Sequence, residues 1–275
     1  MNLIPEQVHK LTELVIERQQ IYLRRKEGQP KPWTDDKILQ TYRFPNMFRE
    51  QDVVTRWIAD NWRQHGWFAM CVARFNNWPE TLAEIGCPVP WDPERFVHVL
   101  KDRKRRGEKV FTGAYVIAAK GGGSKAVSVA ATLSTIWERR EELQPLVGDT
   151  LERFYNRLLD IDGIGTFMAA QIIADCKYIE PLRKAPDWQT WAAPGPGSCR
   201  GLNRVCGRRL DASWHESTWL GLINELREIV AYSTRDFEGF PTPHAQDAQG
   251  FCCEFDKYER TRLGEGRPRS FYEGV

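Results

Sequence analysis

The sequence predicts an all-α fold arranged as two helical lobes. Two observations carry this reading. Apolar residues recur at helical spacing at both ends of the chain: Leu11, Leu14, Val15 and Ile21 near the start, and Leu220, Ile223, Leu226 and Val230 near the end. Between such stretches, Gly, Pro and Asp/Ser/Thr fall where helices stop and start. A helix is expected over residues 3–26, ended by Gly28 to Pro32. Thr34, Asp35 and Asp36 cap a short helix through Gln40. Two helices over 51–63 and 67–76 are split by Gly66. Asp92-Pro93 opens a helix to Arg105. Phe111 to Ala119 reads as strand or helix, and Gly121 to Gly123 as a flexible connection. Helices then follow over 125–140, 149–159, 166–178, 213–233 and 245–262. The expected organisation is one all-helical domain over 1–262, in lobes 1–145 and 146–262, with a flexible tail over 263–275.

At 275 residues the chain can bury a substantial core. Its 28% charged and 41% hydrophobic residues are those of an ordinary globular protein. The net charge is only +2, so any nucleic-acid footprint must come from local clusters. Arg24-Arg25-Lys26, Lys101 to Arg106 and Arg204 to Arg209 are such clusters; each reads equally well as a solvated helix end. Most of the 11 tryptophans are expected in the core, with one or two free to stack on a base. The first twenty residues are amphipathic and charged, unlike a signal peptide, and no apolar run suits a bilayer. Seven cysteines without a secretory signal fit a reducing compartment. Cys199 and Cys206 have the spacing that opens an iron–sulfur loop, but position 209 is arginine, which excludes the cluster. The histidines are scattered, which argues against zinc. Gly121 to Lys125 lacks the glycine spacing of a nucleotide phosphate loop, leaving Lys125 as a lone cation that opens a helix.

The most informative stretch runs from Leu158 to Asn203. Its first part reads as helix, tight Gly163-Ile164-Gly165 turn, helix. The glycines allow close approach of a ligand, and the next helix presents free N–H groups to a phosphate. This is the helix-hairpin-helix way of gripping a nucleic-acid backbone. Asp187 follows at the distance found in DNA glycosylases built on that element; alternatively, it is a helix cap. Gly195, Gly197, Ser198 and Arg200 read as an anion nest with a bidentate cation. Arg43, Asn46, Arg49 and Asp52 recur every three residues, on one face if that segment is helical; a buried polar network is the other reading. Arg74, Asn76 and Asn77 add to this set. Cys253 to Arg260 alternates carboxylates and cations, as intrahelical ion pairs do.

Taken together, Arg43-Phe44-x-Asn46-x-Phe48-Arg49-x-x-Asp52, the Gly163–Gly165 turn, Gly195 to Asn203 and Cys253 to Arg260 resemble the bacteriophage thymidine-hypermodification enzymes. That family comprises the α-glutamyl/putrescinyl-thymine pyrophosphorylases, the amino acid:DNA transferases and the helical domain of 5-hydroxymethyluracil DNA kinases. The resemblance spans residues 33–262. It implies a helix-hairpin-helix, glycosylase-like fold in the cytoplasm of an infected bacterial host. The implied substrates are double-stranded DNA with a modified thymine and an amino acid. The implied reaction replaces the pyrophosphate of 5-pyrophosphoryloxymethyl-uracil with an amine. It calls for base flipping, charge stabilisation on the leaving group and a general base.

On this reading Asp187 is the expected base. Arg200, Asn203, Arg43, Asn46, Arg49, Asp52 and Lys257 complete the catalytic set. Gly163, Gly165, Gly195, Gly197, Ser198, Lys125 and Arg74 hold DNA or phosphate. These groups are expected to meet in one pocket. No resident cofactor is expected, although Mg2+ could accompany the pyrophosphate, with Glu254 or Asp256 helping to hold it. A glycosylase acting on a modified base, or a non-catalytic DNA-binding module, are the competing readings.

Overall fold

The computed structural model describes residues 2–112 and 124–272. These residues form thirteen α-helices, joined by turns and short 3-10 segments: α1 (Pro5–Lys26), α2 (Lys37–Thr41), α3 (Val53–Asn61), α4 (Gly66–Asn76), α5 (Pro79–Ile85), α6 (Pro93–Arg105), α7 (Lys125–Glu138), α8 (Arg140–Leu143), α9 (Leu151–Leu159), α10 (Thr166–Cys176), α11 (Pro196–Val205), α12 (Glu216–Thr234) and α13 (Ala245–Arg262). The fold is all-α. The expected reading of Phe111 to Ala119 and of Gly121 to Gly123 falls almost entirely outside the described residues.

Two compact units share the chain: residues 1–52 with 189–275, and residues 53–188. The division therefore differs from the expected boundary at 145/146, which lies inside the second unit. The reason is packing. The buried stripe of α1 has its partners at the far end of the sequence, in α11, α12 and α13.

In the first unit Leu11, Val15 and Ile21 of α1 share one core with Trp219, Ile223, Leu226 and Val230 of α12 and Phe251 and Phe255 of α13. Burying each such side chain stabilises by about 1.5–3 kcal/mol. Asp36 starts α2 by accepting from the Ile38 and Leu39 amides at 2.8 and 3.0 Å. Residues 43–52 are not a helix. Pro45 keeps Phe44 out of the α region, and only Arg49–Gln51 makes a 3-10 turn. The residues after Gly264 are not a loose tail as far as Tyr272. Ser270 accepts from the Arg43 amide at 3.0 Å, and the Tyr272 amide donates to Thr41 at 3.1 Å. Tyr42 and Phe271 form an isolated bridge.

In the second unit the capping signals hold. Asp92 accepts from the Arg95 amide at 2.9 Å, with Pro93 in the first turn of α6. Thr150 accepts from the Arg153 amide at 3.0 Å to open α9. The tryptophans are largely structural: Phe68 packs against Trp91 and Trp137, Trp67 against Phe154, and Trp57 against Trp62.

Candidate functional site

In the first unit the glycine-rich segment 195–203 is a helix rather than an anion nest. Pro196 and Gly197 open α11, and Ser198 closes its start on Gly195. Its Oγ accepts from the Gly195 amide at 3.0 Å and donates to the Gly195 carbonyl at 2.9 Å. Ser198 is fully buried, so it offers nothing to a surface anion. The remaining glycines serve the packing of α11 on α13. A Cβ at Gly201 would fall 1.9 Å from the Cys252 carbonyl oxygen, and one at Gly197 would fall 2.5 Å from Cys253 Sγ. Asn203 is also buried; its Nδ2 donates to Leu210 and Ala212 carbonyls at 3.2 and 2.9 Å, pinning the following loop.

This close approach places α11 cations against α13 carboxylates. Asp256 is buried and pairs with Arg200 at 3.1 Å and Arg204 at 2.8 Å. Arg204 also reaches Glu265, whereas Arg200 is 39% exposed and remains open to a ligand. Two residues before Asp256, and so turned toward another face of α13, Glu254 pairs with Lys257. Burial pushes the Glu254 carboxyl above the usual range, against the opposing pull of Lys257, Arg18 and Arg260. Burial, aided by Glu254, likewise pushes the Cys253 thiol up to about 12, which makes it a poor nucleophile. Lys257 lies 4.6 Å from the centre of the Phe44 ring.

Arg18 is a member of this group that the motifs did not bring out. It donates from Nε and Nη2 to the Phe44 carbonyl at 3.2 and 2.8 Å, and from Nη2 to Asn46 Oδ1 at 3.0 Å. Its signal in the sequence is a cation on the stripe Leu11, Leu14, Val15, where the helical period calls for an apolar residue. Asn46 donates in turn to the Gln51 carbonyl at 2.7 Å, and the Arg49 amide donates to Asp247 at 2.7 Å. The Arg43–Asp52 segment is thus held as a polar network rather than as one helical face. Arg43 is exposed and stands 5.7 Å from the Tyr272 ring centre; Asp52 closes the 3-10 turn through its amide. Glu254 and Asp256 are committed to cations, and the described residues contain no metal-binding cluster.

In the second unit α9 and α10 are joined by a short turn. Gly163 has φ +96°, and a Cβ there would fall 2.6 Å from Thr132 Oγ1, so both backbone and packing demand glycine. Asp162, Gly163, Gly165, Thr166 and Phe167 are exposed, and α10 starts at Gly165 without an acidic residue in its first turn. Asp187 accepts from the Leu151 and Glu152 amides at 2.7 and 3.1 Å, so its carboxylate caps α9. Arg74 is buried. It is bound to Asp175, Thr55 and Asn77, with 2.7 Å from Nη2 to Asp175 Oδ1 and from Nη1 to Asn77, and this excludes a surface phosphate contact. Lys125 lies 4.2 Å from the Phe111 ring centre, and burial lowers its pKa.

The expected site residues therefore divide between the units. Asp187, Gly163, Gly165, Lys125 and Arg74 belong to one and the rest to the other. Two of the three basic clusters are partly neutralised within the chain: Arg103, Arg105 and Arg106 by Glu84, Asp102 and Glu108, and Arg209 by Asp211. None of the described helices is long and apolar enough to cross a membrane.

Among curated proteins the chain is similar to a 5-hmdU DNA kinase of Bacillus phage SP10, at 26% identity over 280 aligned positions. The match covers 89% of this chain and 43% of that protein, so the chain spans less than half of its relative. No solved structure matches. The family described as "5-hmdU DNA kinase, helical domain" matches residues 6–267. Nearly all of the charged framework of α1, α11 and α13 lies within those residues, and the chain belongs to that family.

Proposed function

We propose that the chain modifies a 5-substituted uracil in DNA, transferring an amino acid through its amine onto 5-pyrophosphoryloxymethyl-uracil with release of pyrophosphate. The relative's name ties the family to 5-hmdU in DNA. The observation that supports the transfer step is a pair of charged groups on α13 in one unit, Arg18 and Lys257 at Glu254 and Arg200 and Arg204 at Asp256. In the reaction the bond between the 5-methylene carbon and the ester oxygen breaks, and its electron pair leaves with pyrophosphate. The amine forms the new C–N bond and gives up a proton. Arg200, the most open of the cations, suits the growing charge on the leaving group. Glu254 suits the proton, since its surroundings favour the protonated form. Asp187 is less suited, because its oxygens already serve α9. The exposed turn between α9 and α10, with its bare helix start, supports a backbone grip of the helix-hairpin-helix kind.

The test is to incubate the protein with DNA carrying 5-pyrophosphoryloxymethyl-uracil and a pool of amino acids, then to weigh the digested nucleosides. Transfer gives a nucleoside carrying an amino acid linked through its amine, and free pyrophosphate. A free base and an abasic site would make the chain a glycosylase. DNA binding with neither product would make it a binding module.

A further inference from the structure

A second feature of the first unit lies outside the transfer cluster. Ile21, Pro32, Trp33, Leu39, Gln40 and Tyr272 line a cavity of about 270 Å3, and Lys31 stands at its edge. Two aromatic rings form its walls: Trp33 and Tyr272 meet edge to face, 6.1 Å between centres. Cations surround those rings. Arg25 lies 5.2 Å from the Trp33 centre, Lys31 lies 5.5 Å from Trp33 and 5.7 Å from Tyr272, and Arg43 lies 5.7 Å from Tyr272.

The walls are built by specific contacts. Trp33 is fixed by its Nε1, which donates to the Gln29 carbonyl at 2.7 Å, and by Arg24, which donates to the Trp33 carbonyl. Tyr272 is delivered by the segment after α13, through the backbone bonds at Thr41 and Arg43. An apolar slot with aromatic walls and a positive rim matches one chemistry: a planar base carrying a phosphate. The base gains from the rings and the phosphate from the cations. A lipid would need a longer apolar trough, and an acidic peptide would gain nothing from two rings set edge to face.

We propose that this slot holds an unpaired nucleobase of a DNA strand, with the adjoining phosphate on Arg25, Lys31 or Arg43. The inference does not depend on which reaction the chain performs, since it requires only a strand with an unstacked base.

The test uses the full chain and short, labelled, unmodified oligo(dT), with binding followed by anisotropy at fixed low salt. Trp33→Ala and Tyr272→Ala should each weaken binding about 5- to 150-fold. Trp33→Phe and Tyr272→Phe should stay within a few-fold of the parent. A duplex of the same sequence should be indifferent to all four changes. As a second measurement on the unaltered protein, strands carrying 5-iodouracil should photocrosslink to Trp33 or Tyr272. Unchanged affinity in both alanine variants, or crosslinks only elsewhere, would overturn the proposal. So would competition by thymidine monophosphate as strong as that by the strand, which would make the slot a free-nucleotide site. If amino acid transfer failed while these results held, the slot would stand and the transfer reading alone would fall.

Discussion

Gly201 of α11 lies directly against the main chain of Cys252 in α13, where a Cβ would come within 1.9 Å of the carbonyl oxygen. The two helices cannot hold their present separation with any larger residue there. Gly201→Ala is expected to destabilise by about 3 kcal/mol, because backbone rather than a side-chain tip must move. Gly250, inside α13, has nothing within 4 Å of its would-be Cβ. Gly250→Ala should therefore raise stability by about 0.5–1 kcal/mol through helix propensity alone. Urea midpoints of the two variants, moving in opposite directions, check the packing account.

Asp187 holds the start of α9 through two amides. Asp187→Asn keeps one acceptor and removes the charge, at an expected cost of about 1 kcal/mol. A lower melting temperature with unchanged turnover per folded molecule is the expected result. An unchanged melting temperature with turnover abolished would return this residue to the chemistry.

The Arg74–Asp175 pair is buried on both sides. Asp175→Asn leaves the guanidinium without its counter-charge, and an expected loss of about 3–5 kcal/mol follows. Chemical denaturation with and without the change measures it.

Glu254 makes stability depend on pH. Burial raises its folded pKa above the unfolded one, so the folded state holds the proton more tightly. This contribution is fully present below the unfolded pKa and is lost as pH rises through the folded one. Glu254→Gln should flatten that decline. Melting temperatures of the two proteins across the acid-to-neutral range, taken as a difference curve, show whether the slope belongs to this residue.

Helices with local start signals were legible in the sequence. Asp92-Pro93 begins α6 and Asp36 caps α2 because each cap acts on amides two or three residues away. Apart from the 43–52 segment, where the local Pro45 prevents a helix, the main departures turned on distant partners. Gly197 and Gly201 read as parts of an anion nest until Cys252 and Cys253 are known to lie against them. Arg74 looks like a surface cation until Asp175 appears beneath it. Arg18 carries no motif, and the segment up to Tyr272 reads as a flexible tail, for the same reason: their roles come from Phe44, Asn46 and Thr41, on other elements. Arg200 was legible as a residue, but its partner Asp256 follows only from the packing of α11 on α13, whereas the Lys257–Glu254 pair lies within α13 as the alternation of charges suggests.

The interrupted first unit has a consequence for synthesis. Its opening stretch, α1 with its stripe of Leu11, Val15 and Ile21, leaves the ribosome long before Trp219 or Phe251 exists to receive it. All of residues 53–188 must be translated in between, an interval on the order of ten seconds. During that time the nascent helix has greasy flesh and no bed. The stretch most in need of a chaperone is therefore α1, and a truncated product ending before α12 will be sticky even though the residues between 53 and 188 are already in place.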